Sequence, residues 1–177
     1  DSSSSRGLGD VYKRQVYLNV SAHTIMHQEF CKIFSRFVEE NGIKENEFGL
    51  EITETAELED TKKAGESLER LKKRGIKIAL DDFGAGYASL KYIRDLPIDV
   101  VKLDRHFTSN ISDPSTSRLI KFVSDVCAEL NLEMIGEGIE TEKEKNMMIE
   151  LGCVTGQGFL MHMPSFIEDI KKENNDG

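Results

Sequence analysis

The stretch IKIALDDFGAG, residues 76–86, runs from an apolar segment through two adjacent aspartates, Asp81 and Asp82, into a glycine-rich turn. The residues before the aspartates are apolar except for one lysine, as in a parallel strand that is buried on both faces. Carboxylates that are crowded together repel each other unless a positive group lies among them. The stretch therefore predicts a buried strand whose end carries a site for a cation.

Outward from this stretch, β-type and helix-type segments alternate along the chain, which is typical of an α/β fold. The predicted strands are residues 16–20, 48–52, 76–82, 98–104, 132–138 and 154–159. The predicted helices are residues 27–42, 61–75, 89–96, 115–131, 141–152 and 165–173. Thr141 and Glu144 have the spacing of a capping box, which marks the start of the fifth helix.

Two of these helices show an apolar face at helical spacing. In the first helix the face consists of Phe30, Ile33, Phe34, Phe37 and Val38. In the fourth helix it consists of Leu119, Val123, Val126, Cys127 and Leu130. We expect both faces to pack on the sheet.

The polar residues at the strand ends distinguish two α/β folds that both fit the alternation. They are Asn19, Glu51, Asp81, Asp82, Asp104, Glu137 and Gln157. In a (β/α)8 barrel the carboxyl ends of all strands converge on one mouth, whereas in an open doubly wound sheet they spread along an edge. The polar ends therefore favour a TIM-like barrel with about six of its eight βα units present. Such a barrel is expected to have two free sheet edges and to be poorly soluble alone.

Composition excludes several classes of function. The 177 residues carry a formal net charge of −9, so a nucleic acid polymer is an unsuitable partner. The three cysteines show no metal-site or disulfide spacing, and no apolar run is long enough for a membrane span, which favours the cytoplasm. Residues 1–15 are rich in serine and lack periodicity. We interpret them as a non-native segment, with a natural disordered linker as the alternative.

Oxygen ligands at the strand ends suit hard cations such as Mg²⁺ or Mn²⁺. Asp81 and Asp82 are expected to point in different directions and so to serve two neighbouring ions, an arrangement that favours in-line hydrolysis of a phosphodiester. Lys102 shares a strand face with Asp104 and is a candidate for holding the attacking water or the phosphoryl charge. Glu137 is a candidate general base.

Each of these signals also has a structural interpretation. The adjacent aspartates are equally suited to capping a turn, and Glu51 with its neighbours to capping a helix. Lys102 and Asp104 could form a structural ion pair, and Gln157 could be a loop amide. The catalytic interpretation depends on the coincidence of several signals at strand ends in order.

Six short motifs together resemble one family. They are NVS at 19–21, EITET at 51–55, DDFGAGYASL at 81–90, LPIDVVKLD at 96–104, GEGIET at 136–141 and GQGF at 156–159. In this order they resemble the EAL domain, a family of bacterial phosphodiesterases specific for cyclic di-GMP. The resemblance covers residues 16–177, as the C-terminal three-quarters of such a domain. It implies a barrel whose first strand is antiparallel and hydrolysis of cyclic di-GMP to linear pGpG with two Mg²⁺ or Mn²⁺ ions.

The resemblance also implies a role for each site residue. Asn19, Glu51, Asp81 and Asp82 would be metal ligands. Lys102, beside Asp104, would hold the water, and Glu137 would be the general base or a ligand of the second metal. Glu54 would steady a loop over the site, and Glu140 and Gln157 would line the substrate. The region after Asp82 would couple to a homodimer interface, and a sensory or GGDEF domain would lie upstream.

The sequence departs from the family pattern in one place that matters, because the signature Glu-Ala-Leu tripeptide does not occur. Smaller differences, such as Gly136 where alanine is usual, remove no ligand. The tripeptide would supply another metal ligand, so we expect the parent protein to be active and this fragment to be inactive. The alternative is a catalytically inactive EAL domain that acts as a cyclic-di-GMP sensor or a protein-interaction module.

Overall fold

The computed structural model describes residues 2–7, 15–27, 29–43, 48–53, 60–85 and 89–164. Within these ranges lie seven strands, most of them short. They are β1 (Ser2–Gly7), β2 (Gln15–Asn19), β3 (Phe48–Thr53), β4 (Lys77–Phe83), β5 (Val100–Leu103), β6 (Glu133–Gly136) and β7 (Thr155–Gly156).

The strands form a closed barrel in chain order. Strands β2 to β7 are parallel neighbours, so the predicted TIM-like α/β fold with six parallel strands is confirmed. The expectation of two free sheet edges is wrong, because β1 pairs antiparallel with both β2 and β7. The sequence analysis placed no strand here, since a serine-rich segment has no alternating apolar pattern. The interpretation of residues 1–15 as non-native stays a prediction.

Seven helices are described, and five of them match predicted segments within a few residues at the ends. They are α1 (Ala22–Met26), α2 (Phe30–Glu40), α3 (Thr61–Lys72), α4 (Ser89–Asp95), α5 (Arg105–Ser109), α6 (Pro114–Glu129) and α7 (Glu142–Glu150). The short helices α1 and α5 were not predicted. The predicted capping box opens α7. The predicted last helix, residues 165–173, lies outside the described residues. None of the described helices is long and apolar enough to cross a membrane.

The buried faces of α2 and α6 differ from the predicted apolar faces. Helix α2 buries Cys31, Phe34 and Val38, whereas Ile33 and Phe37 are exposed. Helix α6 buries Ile120, Val123 and Cys127, whereas the predicted face residues Leu119 and Leu130 are exposed. The predicted faces were therefore partly wrong, because Cys31 in α2 and Ile120 in α6 are buried although they lie outside those faces.

The interior of the barrel consists of layers, since alternate residues of each strand point inward. Tyr17, Ala79, Val100 and Ile135 form a buried apolar cluster of their own, separate from the main core between sheet and helices. Two residues further along the strands, the same alternation brings in Glu51, Asp81, Lys102 and Glu137. The apolar layer thus forms the floor of a polar site at the carboxyl ends of the strands.

Candidate active site

Lys102 lies in the middle of the polar layer and is surrounded by carboxylates from neighbouring strands. Its Nζ lies 2.7 Å from Oε1 of Glu51 and 2.6 Å from Oε1 of Glu137. It also lies 3.0 Å from Oδ1 of Asp81, at the distance of an ion pair but without the angles of a hydrogen bond. The side chains of Lys102 and Glu51 are only 2% and 1% exposed. One buried ammonium therefore faces three carboxylates in a region of low dielectric, where charges interact strongly.

Strand β4 delivers two successive carboxylates to this site. Its register with β5 shifts between Leu80 and Phe83, and Asp82 adopts a left-handed backbone conformation with φ of 53°. A bulge of this kind turns a side chain that would otherwise face the opposite side of the sheet. One oxygen of Asp81 and one of Asp82 lie within 4.8 Å of each other, so the expectation that the pair serves two neighbouring ions stays a prediction.

Glu137 joins these two aspartates in a group that could hold a metal ion. One oxygen from each of Asp81, Asp82 and Glu137 lies within 4.8 Å of the other two. All three are carboxylates, which are the ligands that hard divalent cations prefer. Oδ1 of Asp81 is buried and accepts no hydrogen bond among the described residues, and the charge of Lys102 lies 3.0 Å from it. The donor set fits a magnesium-type ion.

The electrostatics of the site shift the pKa values of its members. Burial raises the pKa of Glu137 to about 7, against the opposing effect of Lys102 and with a further contribution from Asp81. Burial acts to lower the pKa of Lys102, but the carboxylates of Glu137, Asp81 and Glu51 outweigh it and raise that pKa. Burial, followed by Asp81 and Asp104, raises the pKa of Asp82. The carboxylates thus favour the ammonium form of Lys102, and the raised pKa of Glu137 lies in the range that suits a general base.

Gln157 fixes the orientation of Glu137. Its Nε2 donates a hydrogen bond of 2.8 Å to Oε1 of Glu137, the same oxygen that Lys102 contacts. The backbone holds the amide in place, because Gln157 N donates to Gly136 O and Ile139 N donates to Gln157 O. Oε1 of Gln157 is buried and has no hydrogen-bond partner among the described residues.

The remaining predicted site residues lie at the same end of the barrel or outside the description. Asn19 ends β2 and is in register with Glu51. Asp104 follows β5 and caps helix α5, accepting a hydrogen bond of 2.8 Å from His106 N. Glu140 is exposed, and its backbone N–H donates to Oε2 of Glu144. Glu54 lies outside the described residues.

The sequence analysis missed how Lys102 is used. It paired Lys102 with Asp104 on one strand, whereas the observed partners come from β3, β4 and the end of β6. The signal for this arrangement was the alternation of side chains along each strand. It directs residues 51, 81, 102 and 137 into the barrel interior in one layer. Using that parity requires the register between strands, which the sequence alone does not give.

Comparison with known proteins shows similarity over most of the chain. The sequence model of the EAL domain matches residues 6–164. The probable cyclic di-GMP phosphodiesterase PdeI of Escherichia coli K12 is 32% identical over 149 residues, which are 84% of this chain and 19% of that protein. The chain therefore spans only a small part of this relative's length.

Two solved structures are similar in fold. The EAL domain of Mycobacterium smegmatis DcpA superposes with a TM-score of 0.85 and 29% identity, covering 91% of this chain and 73% of that one. The EAL enzyme Bd1971, in a form bound to cAMP and cyclic di-GMP, gives a TM-score of 0.83 and 28% identity, covering 89% of this chain and 42% of that one.

Proposed function

This chain belongs to the EAL domain family, and we propose that its protein hydrolyses one phosphodiester bond of cyclic di-GMP to give linear pGpG. The observation that carries this proposal is the buried ammonium of Lys102 among three strand-end carboxylates, next to a group that could hold a cation. A relative named as a cyclic di-GMP phosphodiesterase and a neighbour solved with cyclic di-GMP support the choice of substrate.

We propose that the site takes two Mg²⁺ or Mn²⁺ ions, with Asn19, Glu51, Asp81 and Asp82 as ligands. When bound, such ions neutralise phosphate charge and lower the pKa of a coordinated water. Asp81 would share the ligand role with Asp82, which follows it on the bulge, and with Glu51, whose register partner Ala79 lies two residues before Asp81 on β4. The proposed metal ligands therefore all lie at the carboxyl ends of β2, β3 and β4.

The proton and the phosphoryl charge are assigned to other residues. Glu137 removes a proton from the attacking water, for which a pKa near 7 is well suited. Lys102, with Asp104 nearby, stabilises the negative charge that develops on the phosphoryl oxygens. Gln157 keeps the Glu137 carboxylate in position. Glu140 and Glu54 are assigned to the substrate-binding rim and to the loop above the site, respectively.

We also propose the wider setting that the family resemblance implies. The protein acts in the cytoplasm as a homodimer that forms through the region after Asp82. A sensory or GGDEF domain regulates it from upstream. Its ligand is the cyclic dinucleotide and not a nucleic acid polymer, in keeping with the net charge of −9.

The proposed function is tested by turnover. The full-length protein, with the 177-residue chain beside it, is incubated with cyclic di-GMP and Mg²⁺ or Mn²⁺, and pGpG is followed by chromatography. We expect Glu137→Ala to lower the rate of the full-length protein by at least about a hundredfold, because the general base is lost. Glu133→Ala is the matched control, since it removes a carboxylate from the amino end of the same strand.

No turnover by the full-length protein in either metal would contradict the proposed function. Binding of cyclic di-GMP without metal and without turnover would instead favour a sensor domain. The absence of the Glu-Ala-Leu tripeptide from this sequence is the observation that keeps this second candidate, an inactive EAL domain that binds the nucleotide or a protein partner.

A further inference from the structure

The contacts of Lys102 overlap with the group that could hold a metal. Of the three carboxylates in that group, Asp81 and Glu137 are also ion-pair partners of Lys102. Three carboxylates lie within 3.0 Å of its ammonium group. Lys102 therefore already pairs by charge with two of the carboxyl groups that could hold a metal.

We propose that Lys102 is a built-in competitor of the divalent cation, lowering the metal affinity of the site in exchange for holding its carboxylates together. The inference deepens the proposed function and rests on it for the choice of Mg²⁺ or Mn²⁺ as the metal. It gives Lys102 a second role as a positioning residue, besides its assigned contact with the phosphoryl group.

Competition follows from charge and burial. A cation held by the assigned ligands Glu51 and Asp81 would lie a few ångströms from the Lys102 ammonium, which contacts the same two carboxyl groups. Two positive charges at that separation repel each other strongly when solvent screening is weak. The Lys102 side chain is 2% exposed, so water contributes little screening.

Removal of Lys102 could also have the opposite effect, a weaker metal affinity, and the experiment distinguishes the two. Without Lys102, three carboxylates repel one another, and their separation could weaken metal binding. If orientation of the ligands were the dominant contribution, removal of the lysine would lower metal affinity. If charge competition dominates, removal raises it.

The experiment measures binding of Mn²⁺ alone to the 177-residue chain by isothermal titration calorimetry at pH 8. The chain is compared with Lys102→Met and with Lys102→Gln, which keeps N–H donors but has no charge. Lys77→Met is the matched control, because Lys77 is a second lysine of the sheet and pairs with Glu133 at 2.8 Å, at the other end of the strands. We expect both Lys102 variants to bind Mn²⁺ at least about tenfold more tightly, and Lys77→Met to remain within about twofold.

Equal or weaker Mn²⁺ binding by both Lys102 variants would overturn the inference. A variant that is unfolded without metal is followed by its thermal midpoint across a Mn²⁺ series. If Lys102 competes with the metal, the thermal midpoint of the variant should rise more than that of the unmodified chain for each tenfold increase in Mn²⁺ at low concentrations. Turnover of cyclic di-GMP by the full-length protein is measured separately. A gain in Mn²⁺ affinity without turnover rejects the proposed function alone, and turnover without that gain rejects the competition alone.

Discussion

The two ends of the barrel interior treat lysine in opposite ways. At the amino end of the strands, Lys77 pairs with the single carboxylate of Glu133, and both side chains are partly exposed. At the carboxyl end, Lys102 faces Glu51, Asp81 and Glu137 and is almost fully buried. The apolar layer that contains Tyr17 and Ile135 separates the two ends.

The difference shows which end is built for stability and which for chemistry. At the amino end the charges balance one to one, and Lys72 with Asp99 repeats the pattern at 2.7 Å. Asp99 also accepts a hydrogen bond from Ile78 N, so its role there is to connect strand β4 to the chain before β5. At the carboxyl end the negative charge exceeds the positive charge, which a fold would not retain for stability alone. A surplus of buried carboxylate is a feature of sites that bind cations.

The largest expected effect on stability comes from removing Lys102, and removal of Lys77 is the comparison. In EDTA at pH 8, Lys102→Met should lower the free energy of unfolding by about 3–5 kcal/mol, because it leaves buried carboxylates without a partner. Lys77→Met should cost at most about 1 kcal/mol, since its ion pair is partly exposed to water. Urea unfolding followed by circular dichroism measures both values.

The comparison between the two ends would break down if the two variants lost similar stability. Glu133→Gln is the control for the amino end of the strands. It should lose about as much stability as Lys77→Met, because each change removes one member of the same partly exposed ion pair. A large loss in Glu133→Gln would show that the amino end also depends on buried charge.

A second prediction concerns the apolar layer between the ends. A Cβ at Gly49 would lie 2.3 Å from Cε1 of Tyr17 and 3.2 Å from the backbone oxygen of Lys77. Tyr17 is 1% exposed and lies in the buried apolar cluster with Ala79, Val100 and Ile135. Gly49→Ala should therefore lower the free energy of unfolding by about 1–3 kcal/mol through overpacking, measured by the same urea titration.

The double variant Gly49→Ala with Tyr17→Leu identifies the cause of this loss. If the ring of Tyr17 is the obstacle, the alanine should cost less in the leucine background than in the native one, giving a coupling energy between the two positions. Additive losses would mean that the alanine disturbs the strand backbone beside Lys77 instead of the apolar layer.

The sequence predicted the parallel part of this fold because buried strands and amphipathic helices have distinct patterns. Strands such as residues 76–82 are nearly continuous apolar runs, and α3 and α7 carry ordinary caps. The strand β1 could not be predicted, because its serines and glycine have no pattern and its pairing depends on the two edges that it joins. The short helix α5 was missed because Asp104, which caps it, was interpreted only as a site residue.

The sequence was sufficient to predict which residues form the candidate site, but not which of them contact one another. Strand ends identified Glu51, Asp81, Lys102 and Glu137, since parallel strands converge at one end of a barrel. The partners of Lys102 depend on inter-strand register, and the approach of Asp82 to Asp81 depends on a bulge. Neither is encoded in a local pattern, because both arise from how neighbouring strands fit together.

The smallest expected effect is at Gly136, the last residue of β6, where an added Cβ would face helix α7. A Cβ there would lie 2.4 Å from Cε of Met148, the free end of a flexible side chain, and no closer than 3.5 Å to Sγ of Cys153. Since Met148 can move its terminal methyl group, Gly136→Ala should change stability by less than about 1 kcal/mol, with the lost chain entropy of glycine favouring a gain. Gly158→Ala is the matched contrast, because its Cβ would lie 2.2 Å from the backbone oxygen of Ile139, which cannot withdraw. Thermal unfolding of both variants distinguishes them. A loss of stability in Gly136→Ala as large as that in Gly158→Ala would show that the outer face of β6 is as tightly packed as the interior. The contrast between the two ends would then not be confined to the inside of the barrel.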